Sequence, residues 1–220
     1  MAGHDLTLDL TKVADLGTDY SAYGIKANNK TTIVVDSNKT NPGKNGTITI
    51  KAKTLWSPSG DSGSKYTAAH GIAVGNFSQR FNKKVSEDLV KTTINADVMI
   101  EELRGGSTQT TGISSMDCSD LAINGTFTIK PGAISLMQWN QGERSKTYGI
   151  YMIGSNNTVS ITSADIDDSE KGSLSDLIKT NESLWGGKTE KNVLRIGGGT
   201  LKVKENQKER YLISAAEGFR

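Results

Sequence analysis

The segment Gly46–Lys51 reads GTITIK, and this short stretch decides the fold class. Ile48 and Ile50 are two residues apart, so both project from one face of an extended strand. Thr47 and Thr49 project from the opposite face, which suits contact with water. A turn residue followed by such alternation is typical of a strand with one face in a protein core. The segment therefore predicts a half-buried β-strand.

The same pattern recurs along the chain. Close copies are 125–130 (GTFTIK), 157–162 (NTVSIT) and 199–204 (GTLKVK), and looser copies are 31–35 (TTIVV) and 93–98 (TINADV). The residues expected to face inward in the clear copies are Ile48, Ile50, Phe127, Ile129, Val159 and Ile161. Repetition of one small unit is the sequence signature of a solenoid or a related repeat architecture.

A second repeated unit is a Gly-Ile pair that opens a short strand. Its clear copies contain Ile25, Ile72, Ile113 and Ile150, and a looser copy lies at Arg195–Gly197. Because equivalent motif positions imply equivalent environments, we expect these isoleucines to be buried in parallel strands. Their spacings of roughly 47, 41 and 37 residues vary too much for propeller blades. Each interval has room for about two turns of a parallel β-helix, or for one turn plus a loop.

Insertions in a β-helix are confined to its corners. Corner insertions are predicted at three segments, which are Leu55–Tyr66, Gln79–Lys91 and Ser169–Lys188. In the third segment, Ser173 followed by Asp176 predicts the start of a short helix. The apolar residues of that helix would be Leu174, Leu177 and Ile178. At equivalent corners of successive turns, Asn and Thr are expected to stack into hydrogen-bonded ladders. A β-sandwich is the alternative all-β fold, but it does not require near-identical strand openings.

Composition fits one solenoid domain over residues 1–220. The chain is 35% hydrophobic but only 6% aromatic, which suits a thin, elongated core. Its net charge of +2 comes from scattered Lys and Arg, so nucleic acid is not an expected partner. The single Cys118 excludes an internal disulfide and is expected to be a small hydrophobic residue that is buried or at an edge. Cysteine poverty suits a reducing compartment, and it also suits proteins exported unfolded through a narrow pore. The sequence contains no apolar run of about 18 residues, so no membrane span is predicted.

Catalytic chemistry has one candidate, an acidic cluster near the end of a predicted strand. Its members are Asp165, Asp167, Asp168 and Glu170. Paired carboxylates cleave glycosidic bonds when they face each other across the bond, but neighbours in sequence favour a solvated turn. The cluster also lacks the spacing of a calcium loop. We expect no catalysis here.

Other residue types that carry chemistry lack a supporting pattern. His4, His70 and Cys118 have no familiar metal-ligand spacing, so no metal or other cofactor is predicted. His70 replaces the tyrosine found at Tyr23 and Tyr148 and is expected to have the same structural role. The run Gly197–Gly199 lacks the setting of a phosphate-binding loop and predicts a tight corner between strands.

The repeated Tyr-Gly-Ile openings, the GTITIK and GTFTIK strands and the scarcity of cysteine make residues 20–206 resemble the passenger region of bacterial autotransporters. The resemblance implies a right-handed parallel β-helix. It also implies export across the outer membrane of a Gram-negative bacterium, followed by display at the cell surface or release. Many such passengers are adhesins. The chain would then be a piece of a longer surface protein.

The function expected on this basis is non-enzymatic binding of protein or glycan ligands on host or neighbouring cells. Trp56, Tyr66 and Trp185 lie in the predicted corner insertions and are the candidate contact residues. A carbohydrate-active β-helix enzyme, such as a lyase or depolymerase, is the alternative from another class. It would need acidic residues at equivalent positions of successive turns. A structural spacer without a ligand is the third possibility.

Overall fold

The computed structural model describes residues 5–11, 21–35, 45–53, 68–75, 89–105, 109–136, 146–170, 173–181, 191–204 and 211–214. Within these ranges the chain forms sixteen β-strands and no helix. The strands are β1 (Leu6–Leu10), β2 (Ala22–Ala27), β3 (Thr31–Val34), β4 (Thr47–Lys53), β5 (Ala69–Gly75), β6 (Val90–Asn95), β7 (Asp97–Gly105), β8 (Gln109–Met116), β9 (Ser119–Ile129), β10 (Ile134–Leu136), β11 (Lys146–Ile153), β12 (Thr158–Asp168), β13 (Asp176–Asn181), β14 (Val193–Ile196), β15 (Gly199–Val203) and β16 (Tyr211–Ser214).

The described strand pairs are all parallel, and they form three columns that the chain visits in turn. Column 1 stacks β1, β4, β7, the second half of β9 together with β10, the second half of β12, and β15. Column 2 is the six-stranded sheet β2-β5-β8-β11-β13-β16. Column 3 stacks β3, β6, the first half of β9, the first half of β12, and β14. This arrangement is consistent with a β-solenoid.

One coil is one passage through the three columns, and the described strands form five complete coils and the column 1 and column 2 strands of a sixth. Coils 1 and 2 are β1-β2-β3 and β4-β5-β6, and coil 3 is β7, β8 and the first half of β9. Coil 4 contains the rest of β9, β10, β11 and the first half of β12. Coil 5 contains the rest of β12, β13 and β14, and coil 6 contains β15 and β16. Each interval between successive Gly-Ile units is therefore one coil plus connections.

The core lies between the columns and includes all ten of the predicted apolar residues. Ile72, Ile113 and Ile150 are fully buried, and Ile25 is 9% exposed in the first coil. The six residues expected to face inward in columns 1 and 3 are also buried: Ile48, Ile50, Phe127, Ile129, Val159 and Ile161. Both predictions are confirmed, together with the parallel pairing of the strands that carry the isoleucines.

Glycine keeps column 2 close to the opposite wall of the core. The glycines at positions 24, 71, 112 and 149 stack on one another in adjacent coils, and an added Cβ at each would lie within 2.7 Å of the next strand's backbone. In β13 this position is Leu177, because Tyr148 pairs with Asp176 and Ile150 pairs with Ile178. The predicted helix at Ser173 is therefore wrong, and β13 is the fifth Gly-Ile-like strand. Arg195–Gly197 does not belong to this column, because β14 lies in column 3.

A buried polar ladder occupies the corner between columns 2 and 3. Asn157 accepts a hydrogen bond from the Ser119 hydroxyl (2.8 Å) and donates one to the Ile153 carbonyl (2.8 Å). The Asn157 amide donates to the Asn192 side chain at 3.0 Å, and Asn192 donates to the Gly154 carbonyl at 2.7 Å. The side chains belong to coils 3, 4 and 5, so the expected ladder at a corner is confirmed. Without this ladder, the buried amide groups at the corner would lack hydrogen-bond partners.

The three predicted corner insertions have different outcomes in the structure. Segment Leu55–Tyr66 lies outside the described residues. Segment Gln79–Lys91 overlaps β6 at its end, and Ser169–Lys188 contains β13. The last is therefore not simply a loop, since it supplies one strand of column 2. Gly197 and Gly198 form the predicted tight corner, between β14 and β15.

Candidate functional site: a row of alternating charge

The acidic cluster lies at the end of β12 in column 1 and in the turn that follows. Asp165 and Asp167 are partly exposed and two residues apart, so they share the outward face of the strand, whereas Asp168 is only 2% exposed. Glu170 is exposed in the turn. The interpretation of all four residues as a solvated turn after a strand is therefore wrong for the three aspartates.

Asp168 holds the chain between columns 1 and 2. Its carboxylate accepts hydrogen bonds from the Ser173 amide (2.7 Å), the Ser173 hydroxyl (3.0 Å) and the Leu174 amide (2.9 Å). Buried backbone donors need such partners. The geometry gives Asp168 a structural role at this corner.

Asp165 and Asp167 are also engaged by the chain. Asp165 accepts a hydrogen bond from the Thr200 amide at 3.0 Å. Asp167 accepts hydrogen bonds from the Ser169 hydroxyl and amide, at 2.5 and 3.0 Å, and pairs with Lys202 at 3.2 Å. The Ser169 hydrogen bonds, followed by Lys202, hold the pKa of Asp167 below its ordinary value. A general acid near neutral pH needs the opposite shift.

Asp167 belongs to a longer feature, which we call the charge row. It runs across the outward face of column 1 with one residue from each coil. In coil order its members are Asp9, Lys51, Glu101, Lys130, Asp167 and Lys202. The sign of the charge alternates at every step. Because like charges on adjacent strands are destabilising, alternation favours this stacking register.

Ion pairs join the middle members of the row and its last two members. Glu101 lies between Lys51 at 2.9 Å and Lys130 at 3.5 Å. The hydrogen bond from Lys51, together with the charge of Lys130, lowers the pKa of Glu101, and the same hydrogen bond raises the pKa of Lys51. Glu101 is the extra residue of a β-bulge in β7, where the register with β4 shifts after Ile50.

A groove of about 290 Å³ follows the last part of the charge row. Its polar lining consists of Thr128, Lys130, Asp165, Asp167, Thr200 and Lys202, and Pro131 lies at one side. Ammonium and carboxylate groups alternate along it, so it presents paired charges of both signs. Such a surface can bind polar ligands by hydrogen bonds, but its carboxylates are already engaged by neighbouring donors.

Stacked carboxylates on successive coils are not found in this row, since a lysine separates each pair of acidic residues. The carbohydrate-active alternative needs acidic residues stacked at equivalent positions of successive coils. The described part of column 1 instead has acidic and basic residues in alternation. Among the described residues, no group of three or more His, Cys, Asp and Glu side chains is placed to hold a metal ion. The described ranges also contain no helix long and apolar enough to cross a membrane.

The outward face of column 2 carries a second row, of aromatic and hydroxyl side chains. Tyr23 stacks on His70 with ring centroids 5.1 Å apart, and His70 Nδ1 lies 2.6 Å from the Thr111 hydroxyl. Tyr148 lies beside Thr111 in the next strand, and its ring stacks on that of Tyr151 with the ring centroids 4.7 Å apart. His70 thus takes the position of a tyrosine in the stack, which confirms its predicted structural role. Burial, followed by Tyr151 and Asp176, raises the pKa of Tyr148.

The candidate contact residues Trp56, Tyr66 and Trp185 lie outside the described residues. Cys118 is buried, as expected. The charge row was missed by sequence reasoning, because its members are far apart in the chain. A signal existed in the lysine that ends both GTITIK and GTFTIK, at Lys51 and Lys130, but its meaning depends on the stacking register.

No protein-family model matches the chain, and comparisons with curated proteins and with solved structures also yield no match.

Proposed function

We propose that the chain is a non-enzymatic binding protein, exported from a Gram-negative bacterium and displayed at the cell surface or released. Its ligands would be proteins or glycans of host or neighbouring cells. The proposal includes a right-handed coil, as in the autotransporter passengers that the sequence resembles. A stack of coils serves this role because it holds corner segments on a rigid frame, where they can vary without disturbing the strands.

One observation carries the choice of binding over catalysis. The three aspartates of the acidic cluster are all occupied by structural donors: Asp165 by the Thr200 amide, Asp167 by Ser169 and Lys202, and Asp168 by Ser173 and Leu174. Proton transfer to a substrate would require one of these carboxylates to leave its partners. Glycosidases instead place one carboxyl group where its pKa is raised.

Cell adhesion tests the binding proposal. Bacteria displaying the chain are compared, on a cultured epithelial monolayer, with bacteria displaying a Trp56→Ala/Tyr66→Ala/Trp185→Ala variant. We expect adhesion to fall in the variant, because Trp and Tyr side chains contribute strongly to many contact surfaces. Val34→Ala is the matched control, since Val34 is a large apolar residue that is 58% exposed and lies outside the predicted insertions. Equal adhesion of all displaying and non-displaying cells would argue for the spacer.

A polysaccharide panel tests the enzymatic alternative. The suitable variant is Asp165→Asn/Asp167→Asn/Glu170→Gln, which keeps Asp168 because the Ser173 and Leu174 amides depend on it. We expect no depolymerisation by the original chain or by the variant. Depolymerisation that is reproducible and disappears in the folded variant would replace the binding proposal with a carbohydrate-active enzyme.

A further inference from the structure

Column 1 repeats with a period of two coils. Coils 1, 3 and 5 carry an acidic member of the charge row, and coils 2, 4 and 6 carry a lysine. Each acidic coil also has an aspartate before its row member, and the strand of the next coil has a threonine beside that aspartate. These pairs are Asp5 and Thr47, Asp97 and Thr126, and Asp165 and Thr200, the last lying two positions further along the strands because Asp165 is in register with Thr128. The two ends of the stack are therefore chemically different.

Each aspartate holds the threonine of the following coil in the same way. The aspartate side chain accepts a hydrogen bond from the threonine amide in all three cases. The pairs are Asp5 with Thr47 at 3.0 Å, Asp97 with Thr126 at 2.7 Å, and Asp165 with Thr200 at 3.0 Å. Coils 1 and 2, 3 and 4, and 5 and 6 thus form three similar units, each acidic first and basic last.

Two junctions between these units lie within the molecule. At the first, Lys51 of coil 2 pairs with Glu101 of coil 3 at 2.9 Å. At the second, Ile129 pairs with Ile166, so Lys130 of coil 4 and Asp167 of coil 5 are neighbours in the next position of the register. In both cases a basic coil is followed by an acidic one.

The described ends of column 1 present the two halves of a third such junction. Coil 1 offers Asp9, and coil 6 offers Lys202, whose side chain is 55% exposed compared with 28% for Lys51. Leu6 in coil 1 is 42% exposed, while its row neighbours Ile48 and Val98 are essentially buried between coils. The outer edge of β1 thus leaves apolar surface that an added coil would cover.

We propose that copies of this chain associate end to end, with coil 1 of one copy stacked beside coil 6 of the next. Asp9 of one copy then follows Lys202 of the other, and the charge row continues across the contact. The contact is heterologous, because it joins two different surfaces, so it can add copies in one direction. This inference does not depend on the proposed ligand binding.

Sedimentation velocity over a range of concentrations tests the association. We expect the sedimentation coefficient to rise with concentration and the rise to weaken at high salt, because salt screens exposed charges. Lys202→Gln should weaken association about two- to fivefold, as expected for loss of one exposed ion pair. Lys130→Gln is the matched control, since it removes the same charge from the same row at an inner coil. A monomer at every concentration, or equal weakening by both substitutions, would overturn the proposal.

A charge swap separates end-to-end stacking from any other contact. Asp9→Lys and Lys202→Glu are prepared as two chains, and circular dichroism confirms that both are folded. Each alone sets like charges against each other at the junction, so each should associate more weakly than the original chain. In a mixture every junction between unlike chains has opposite charges, and association should recover. Recovery supports the proposal, whereas a mixture no more associated than its components contradicts it.

Discussion

Single glycines set the distance between the walls of the core. A Cβ at Gly112 would lie 2.6 Å from the Gly149 carbonyl oxygen and 2.9 Å from the Ile129 Cδ1 atom. Backbone and core must therefore move to admit a methyl group. We expect Gly112→Ala to lower the free energy of unfolding by about 1–3 kcal/mol, the usual effect of overpacking. Urea denaturation followed by circular dichroism measures it.

The control for this substitution is Gly198→Ala. No atom lies within 4 Å of a Cβ at Gly198, and the residue is exposed at the corner between β14 and β15. Its effect should stay within about 0.5 kcal/mol. If both substitutions destabilise the fold equally, close approach of the coils is not the reason for the glycine at position 112.

Leu177 shows why β13 could not be recognised as a strand from the sequence. The glycine and the isoleucine of the Gly-Ile unit both face the core, so the alternation of inward and outward residues is interrupted there. In β13 a leucine replaces the glycine, and Leu177 and Ile178 are both buried as neighbours. With Leu174, this pair has the spacing of a helix face. The isoleucines of the other copies could be predicted, because the glycine before them marked the position.

Among the elements, the corner between columns 2 and 3 depends on the Asn157 ladder. Asn157→Ala removes the donor to the Ile153 carbonyl and the acceptor of the Ser119 hydroxyl. We expect a loss of about 1–3 kcal/mol in the free energy of unfolding, because buried polar groups lose partners. Thermal and urea unfolding measure the loss.

Asn124→Ala is the matched substitution for this ladder. Asn124 is exposed, and its side chain donates to the Asn95 side chain at 2.7 Å. Water can replace that partner, so the change should stay within about 0.5 kcal/mol. A loss as large as that of Asn157→Ala would show that burial does not decide the energetics of these amides.

The charge row predicts how strand stacking responds to acid. The pKa of Glu101 lies below its ordinary value of 4.5 because of Lys51 and Lys130. A carboxyl group with a lowered pKa in the folded state stabilises the fold above its unfolded pKa, and this contribution disappears as the pH falls through the folded value. Glu101→Gln should therefore lower the urea midpoint at about pH 7 and have a smaller effect at about pH 3. An effect that grows on acidification would contradict the ion-pair assignment.

The strands of the repeated units, apart from β13, could be recognised from the sequence, but the strands that lie beside them could not. The alternation in GTITIK fixed which residues face inward at Ile48 and Ile50, because strand periodicity is local. The pairing of Lys51 with Glu101 depends on which coil lies beside which, and on a one-residue bulge after Ile50. No local pattern encodes that shift. For the same reason the sequence groups Asp167 with its chain neighbour Asp168, whereas the pairing of Asp167 with Lys202 depends on the stacking register.

At the scale of the molecule, protection from solvent should be graded along the stack. Strands β5, β8 and β11 in the inner coils are buried along almost their whole lengths, whereas β1 and β15 have mostly exposed and half-buried residues. Terminal repeats of a solenoid have a neighbour on one side only, so they open more easily. We expect backbone amides of β8 to exchange slowest and those of β1 and β15 fastest.

Hydrogen–deuterium exchange with mass spectrometry measures this gradient, at a concentration where the chain is monomeric. Repeating it at high concentration provides the control, because end-to-end contacts would slow exchange in the terminal coils, β1–β3 and β15–β16, and leave the inner coils unchanged. Uniform protection in dilute solution would mean that all six coils open together as one cooperative unit.

Because acidic and basic coils alternate, the charge row keeps its alternation only when coils are added or removed in pairs. Removing one inner coil would bring two lysines or two acidic residues together across the cut, while removing two successive coils would leave opposite charges in contact. A protein engineer who wished to shorten or lengthen this chain would therefore work in even steps. By the same reasoning, duplication of a single coil is a poorer route to a longer chain than duplication of a pair, because only the pair brings its own counter-charges.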